Sequence, residues 1–232
     1  QTGINAVAEI LNGEINPSGS LVDTYCFDNY SSPVMQNFTP IVYEGDVSQI
    51  PAHADTYMIY QEGIYVGYKY YETRYEDFVM GTGNAGSYAY GDDVAFPFGY
   101  GLSYTEFEYS DVTLNYDAAT TTYTMKVTVT NTGDVAGKET VQAYVSSPYT
   151  QYDIDNNVEK ASVSLVGFEK TDILQPGQSE TLTIEIDGDY VASYDAYGAG
   201  TYILDAGDYL FTAATDAHNA ANNVLAAKGF TP

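Results

Sequence analysis

The chain has no tryptophan, a single cysteine, two histidines and only seven lysine and arginine residues among 232. One thiol, Cys26, excludes an internal disulfide and any metal site built on several cysteines. His53 and His218 stand far apart without spaced ligand partners, so neither a zinc site nor a serine–histidine pair is supported. Both read as ordinary surface or packing residues. No cationic start leads into an apolar run, and no unbroken apolar stretch approaches the roughly 20 residues that span a bilayer. Against the few cations stand 32 Asp and Glu, a formal net charge of −25. That field repels phosphate and anionic headgroups, so neither nucleic acid nor a membrane surface is an expected partner. Neutral sugars are indifferent to it.

What is present is apolar and aromatic. The hydrophobic fraction is 44%, and 25 tyrosines suggest many half-buried rings with wet hydroxyls in a chain that folds. The length suits two small domains. The first stretch is helix and irregular loop. Thr2 offers a cap, and Ile4, Val7, Ala8 and Leu11 recur at helical spacing before Asn12-Gly13 ends the run. A start inside a helix, without Met, is expected of a chain cut from something longer. Residues 32–55 carry Pro33, Pro40, Gly45 and Pro51 and read as a wandering connection, while residues 59–71 alternate loosely enough for a strand.

From Phe107 the period becomes two. Tyr123, Met125, Val127 and Val129 share one face. Val141, Ala143 and Val145 repeat the pattern, followed by Val163 and Leu165, then Leu182, Ile184 and Ile186, then Tyr209, Phe211 and Ala213. Asn131-Thr132-Gly133 and Leu174-Gln175-Pro176-Gly177 are turn sequences, the latter with proline presetting φ and glycine supplying a positive φ. Short strands recurring between turns predict a β-sandwich of immunoglobulin or fibronectin type III architecture.

Four segments carry a further signal: Glu9-Ile10-Leu11-Asn12-Gly13-Glu14-Ile15-Asn16-Pro17-Ser18-Gly19, Glu62-Gly63-Ile64-Tyr65-Val66-Gly67-Tyr68-Lys69-Tyr70-Tyr71, Phe96-Pro97-Phe98-Gly99-Tyr100-Gly101-Leu102-Ser103-Tyr104, and Asn131-Thr132-Gly133-Asp134-Val135-Ala136-Gly137 with Leu165-Val166-Gly167-Phe168. In this order they resemble the family 3 glycoside hydrolases of the β-glucosidase type. The first is similar to the helix and turn ending that family's α/β sandwich domain, the second to its last core strand, the third to the junction beyond it, the fourth to its fibronectin-type domain. The fold class this implies is an α+β fragment of an α/β sandwich, residues 1–104, followed by an all-β fibronectin type III/immunoglobulin-like sandwich, residues 105–232. Lys69 stands where the family usually has arginine, and residues 73–93 exceed the common short connection. The tail, residues 215–229, resembles the subgroup in which the barrel follows these domains, which implies more protein on both sides.

The resemblance implies a retaining exo-β-glucosidase acting on terminal β-D-glucosyl residues. Such enzymes need two carboxyl groups about 5–5.5 Å apart, in this family an aspartate followed by tryptophan in a TIM barrel and a glutamate earlier in the sandwich. With no tryptophan, no eight-fold βα pattern and no Gly-Glu-Asp or Gly-Glu-Gly-Tyr loop, this chain is expected to hold no catalytic residue and to be inactive alone. No cofactor or metal is expected. Its expected partners are the barrel and early sandwich portions of the same enzyme and a β-glucoside or oligosaccharide substrate. The implied setting is extracellular or the surface of a bacterium, with the cytoplasm as the alternative.

Other candidates read plainly. Glu76 with Asp77, Asp92 with Asp93 and Glu106 with Glu108 are expected as solvated surface charge. Gly81-Thr82-Gly83-Asn84-Ala85-Gly86 fits G-x-G-x-x-G, but Ser87-Tyr88-Ala89-Tyr90-Gly91 is no helix, so a loop is expected in place of a nucleotide site. Asp153-Ile154-Asp155-Asn156-Asn157 opens like a calcium loop, yet the required glycine and glutamate fall on Val158 and Ser164, leaving a solvated loop. Asn29-Tyr30-Ser31 and Asn37-Phe38-Thr39 match the glycosylation pattern and are discounted as chance. A substrate-side loop, residues 73–93, is expected to leave the strand at 59–71. It brings Arg74, the only arginine, with Glu76 and Asp77 either to border the sugar cleft or to pin the loop to the barrel, although an internal salt bridge is the favoured role of Arg74. The rival reading of the whole chain is a free-standing surface module whose tyrosine-rich sandwich binds polysaccharide or a protein.

Overall fold

Alternation of period two becomes antiparallel sheet, and the mixed segment before it lies against that sheet's outer face. The computed structural model describes residues 3–44, 56–60 and 63–232; the proposed cap Thr2 and His53 lie outside them. In chain order the elements are α1 (Gly3–Leu11), β1 (Tyr25–Cys26), α2 (Pro33–Gln36), β2 (Ile41–Val42), β3 (Thr56–Tyr57), α3 (Tyr68–Met80), α4 (Tyr90–Asp93) and β4 (Val94–Phe96). Then follow β5 (Phe107–Asp117), β6 (Thr122–Asn131), β7 (Thr140–Ser146), α5 (Gln151–Asn156), β8 (Ser164–Lys170), β9 (Ser179–Asp187), β10 (Ser193–Asp195), β11 (Thr201–Ile203), β12 (Leu210–Ala214) and α6 (Ala217–Ala227).

Two antiparallel sheets, ordered β5-β6-β9 and β12-β7-β8, enclose the main core, and β10 pairs with β11 as a separate hairpin. Met125, Val127 and Val129 of β6 meet Leu182, Ile184 and Ile186 of β9 and Val141, Ala143 and Val145 of β7, all buried, as the alternation requires. On the wet face Thr128 pairs with Thr181 at 3.0 Å and Thr130 with Ser179 at 2.7 Å. Beyond Pro176, Gly177 adopts φ 77°, and the Gln178 amide closes the turn onto the Gln175 carbonyl at 2.9 Å.

Asn131 ends β6 with no exposure. Its Nδ2 donates to the carbonyls of Val135 (2.8 Å) and Leu174 (2.9 Å), and its Oδ1 accepts from Thr105 Oγ1 (2.6 Å) and the Gly133 amide (3.1 Å). One side chain therefore joins the chain entering the sandwich, the turn after β6 and the loop before β9.

Strand β8 departs from the expected pattern. Val166 enters the sandwich core, whereas Val163 and Leu165 face an outer layer with Tyr144 and α6. A bulge in β8 leaves Val166 unpaired between Gly167, opposite Ala143, and Leu165, opposite Tyr144, which shifts the β7–β8 register and re-aims the side chains beyond it. Strand β7 is consequently buried on both faces, because α6 covers its outside. Ala217, Ala220, Ala221, Val224 and Leu225, at i, i+3, i+4, i+7 and i+8, form the buried stripe of that helix, and Asp216 caps it by accepting the Asn219 amide at 2.8 Å.

The N-terminal helix forms over Gly3–Leu11 and stops at Gly13 with φ 80°, while Ile4, Val7 and Leu11 of its apolar stripe remain exposed. The strand expected over residues 59–71 and the loop expected over 73–93 are corrected: α3 occupies Tyr68–Met80. A core strand needs paired neighbours, and among the described residues none flanks this segment. Locally, Gly67 at φ 56° breaks the extended run and Gly81 at φ 66° caps the helix in the left-handed region. Within the connection expected at 32–55, the described part holds α2 and β2.

Replacing Asn131 with Ala removes four hydrogen bonds, two of them buried, and is expected to destabilise the fold by about 2–4 kcal/mol, read as a lower urea midpoint at unchanged slope.

Candidate functional site

Tyr68, Glu72, Tyr75 and Glu76 lie at i, i+4, i+7 and i+8 of α3 and so share one face. That face meets α6 and the outer side of the sandwich. Tyr68 Oη accepts the Leu165 amide at 3.0 Å, and its ring lies 4.8 Å from Phe98 and, edge-on, 6.1 Å from Tyr144. Tyr75 Oη donates to Asn222 Oδ1 at 2.9 Å, and Lys228 Nζ reaches Glu76 Oε1 at 2.5 Å. Alongside, Thr73 Oγ1 accepts the Ser162 amide at 3.0 Å.

Glu72 at the centre has no exposure. Tyr90 Oη donates to its Oε1 at 2.5 Å, and His218 Nδ1 lies 3.0 Å from its Oε2. Burial raises this carboxyl above the usual carboxylate range, with His218 and Tyr90 pulling in the opposite direction. The His218 ring stacks on Tyr90 at 3.8 Å, and burial pushes the Tyr90 phenol well up. His218 is thus a packing residue that also satisfies a buried acid from a segment 146 positions away. The cluster is enclosed between α3, α4 and α6, an arrangement suited to locking elements together.

Arg74, Glu76 and Asp77 do not converge. Arg74 Nη1 donates to Tyr70 Oη (3.0 Å) and Nη2 to the Ala85 carbonyl (3.1 Å), and its guanidinium carbon sits 5.5 Å and 5.0 Å from the Tyr70 and Tyr88 rings. The favoured salt bridge is corrected: among the described residues Arg74 forms no ion pair, because tyrosine rings and a carbonyl enclose it. Glu76 points to α6, and Asp77 accepts Thr82 Oγ1 at 3.1 Å. The glycine-rich run follows a helix instead of opening one.

Two buried polar clusters went unseen in the sequence. Lys160 Nζ donates to Asp153 Oδ2 (2.8 Å), Asp205 Oδ2 (2.5 Å) and the Pro148 carbonyl (2.8 Å), with its side chain 4% exposed. Burial by itself would lower this ammonium's pKa, but the two carboxylates more than reverse that and raise it. The solvated loop expected around Asp153 is therefore corrected. Asp153 is buried in α5 and also accepts the Thr150 amide at 2.6 Å. The scarcity of cations was the available signal, since a lysine amid so many acids tends to be claimed by them. At the end of β10 the buried Asp195 accepts the amides of Tyr197 (3.2 Å), Gly198 (2.7 Å) and Ala199 (2.6 Å) and the Tyr152 hydroxyl (2.7 Å). These donors, the Ala199 and Gly198 amides foremost, hold its pKa down at about 2.

Residues 139–217 match the family model of the fibronectin type III-like domain. The chain is similar to a beta-glucosidase of Ruminococcus albus, 36% identical over 223 residues that cover 94% of this chain and 20% of that protein. It is also similar to an Exo-alpha-(1->6)-L-arabinopyranosidase of Bifidobacterium breve, 33% identical over 98% of this chain and 25% of that protein. Among solved structures, a beta-glucosidase from Paenibacillus barengoltzii superposes with a TM-score of 0.69 at 35% identity, covering 91% of this chain and 20% of that one. The chain thus spans about a fifth to a quarter of the relatives it matches. Sheets and matches together define a fibronectin type III-like domain preceded by a mixed helix–strand segment. The chain is similar along nearly its whole length to one portion of β-glucosidases of glycoside hydrolase family 3, and that portion includes a fibronectin type III-like domain.

Lys160→Met strands two buried carboxylates and is expected to cost roughly 3–5 kcal/mol in denaturant unfolding. Asp195 has a folded pKa of about 2, below its unfolded value of about 3.9, so its stabilisation is present above about pH 4 and fades as pH falls toward 2. Thermal unfolding at pH 5 and at pH 2.5 is expected to separate wild type from Asp195→Asn clearly at the higher pH and only slightly at the lower.

Proposed function

We propose that this chain is the scaffolding portion of a retaining exo-β-glucosidase that removes terminal β-D-glucosyl residues, and that it holds an active site formed with a TIM barrel elsewhere in the same enzyme. The observation that carries this reading is the α3 face, where side chains from residue 68 to residue 76 are tied to α6 and to the sandwich. Positioning is valuable to a glycosidase because small misplacements of a catalytic group cost large rate factors. Residues 1–104 are the late part of an α/β sandwich, and residues 105–232 the fibronectin-type domain. The exposed apolar stripe of α1 supports packing against the rest of that sandwich.

Arg74, Glu76 and Asp77 serve on this reading to close the loop after α3 and to tie the helix to α6. Support comes from the ring, carbonyl and lysine contacts that already engage them. The barrel follows this chain, as the tail suggests, and the enzyme works outside a bacterial cell or on its surface. The choice of sugar is made outside this chain. In support, a relative with an arabinopyranosidase name matches it nearly as well as a beta-glucosidase does.

Aryl β-glucoside hydrolysis is expected to be absent with this polypeptide alone and to appear when the complementary barrel portion is added. Turnover by the isolated chain would overturn the assignment.

A further inference from the structure

We propose that the chain binds a neutral oligosaccharide in a cleft formed by the β10–β11 hairpin, the segment leading into β8, and Tyr60 with Gly63, Ile64 and Tyr65 ahead of α3. The cleft has a volume of about 900 Å³ and is lined by Tyr60, Tyr65, Tyr149, Tyr194, Tyr197 and Glu159. That is within the roughly 300–1,000 Å³ of ordinary small-molecule sites. It goes beyond the scaffolding role and does not rest on it.

The rings stand where the fold has no use for them. Tyr197 is 80% exposed, Tyr149 59% and Tyr194 52%, although each carries a large apolar face. Tyr194 is braced edge-on by Tyr202 at 5.2 Å. Both walls are held rigid from beneath. The four hydrogen bonds into Asp195 hold the turn that carries Tyr197, and the Lys160 cluster, which also grips the Pro148 carbonyl, holds the segment bearing Tyr149 and Glu159. Tyr65 Oη donates to the Lys160 carbonyl at 3.3 Å and ties the turn before α3 to the wall that carries Glu159. A surface already ordered loses little freedom when a ligand lands on it.

The chemistry of the lining selects the ligand. The C–H face of a pyranose is weakly electropositive and apolar, and it stacks on the electron-rich face of a phenol ring for the reason a cation does. Sugar hydroxyls need acceptors, and the Glu159 carboxylate and tyrosine hydroxyls provide them. No lysine or arginine lines the cleft among the described residues, and Glu159 is an acid in a chain of net charge −25. A uronate, sulfated or phosphorylated sugar would meet repulsion, whereas a neutral glycan would not.

Titration calorimetry of the 232-residue chain with cellotetraose and laminaritetraose tests this. At least one tetraose is expected to bind saturably, with Tyr194→Ala and Tyr197→Ala each weakening it by about tenfold and Glu159→Gln weakening it by a smaller factor. Both tyrosines are exposed, so the variants should keep the wild-type circular dichroism. Tyr30→Ala, at a 69% exposed ring in the N-terminal segment, is expected to bind as wild type. Absence of saturable heat with both sugars, wild-type affinity in both tyrosine variants, or equal binding of tetragalacturonate would overturn the proposal. The readout is binding, so its outcome is separate from the turnover assay of the scaffolding role.

Discussion

Burying a carboxyl group without exposure is tolerable only where partners satisfy both of its oxygens, and Glu72 imposes that condition on three separate parts of the chain. Tyr90 must be delivered by the short helix before β4, and His218 by the helix after β12. Neither position can drift without stranding the acid. The tyrosines around it extend the constraint, since Tyr68 and Tyr75 spend their hydroxyls on Leu165 and Asn222 while their rings fill the outer layer. The mixed segment and the sandwich are joined here by directional bonds as well as by apolar area, which is the kind of contact a positioning element requires.

Cations are deployed in the same spirit. Lys160 links α5 to the loop after β11, Lys228 links α6 to α3, Lys170 donates to the Ser18 carbonyl at 2.6 Å, and Arg74 closes the loop after α3. In a chain so acidic these cations find acceptors easily, and those of Lys160, Lys170 and Lys228 include groups far off along the sequence. Against that acidic surface these four positive groups act as internal ties. The cleft lined by Tyr60, Tyr149, Tyr194 and Tyr197 carries Glu159 and, among the described residues, no lysine or arginine.

Much of the sandwich was legible beforehand because a strand's period of two is a local property. The faces of β6 and β9 follow from Met125 to Val129 and from Leu182 to Ile186, and the Pro176-Gly177 turn follows from the φ preferences of two residues. Strand β8 departs from strict alternation because it carries a bulge at Val166, and the residues around a bulge bear no local mark of where the extra one sits. The segment before α3 was read as strand because its alternation is real. Whether such a run becomes strand depends on neighbours to pair with, and the helix that follows it is decided by two glycines and a stripe of side chains with something to grip.

The amino-acid order by itself determined the alternating core, the turns, the family likeness of four segments and the absence of the tryptophan that the family's nucleophile motif carries. Only the tertiary structure decided the polar partnerships. Glu72 with His218, Lys160 with Asp153 and Asp205, and Asp195 with the turn behind it are chosen by which groups lose water together. Spacing along a chain encodes the face on which a side chain lies. It does not encode which distant group will share its burial, and for ionisable residues that companion sets charge, pKa and role.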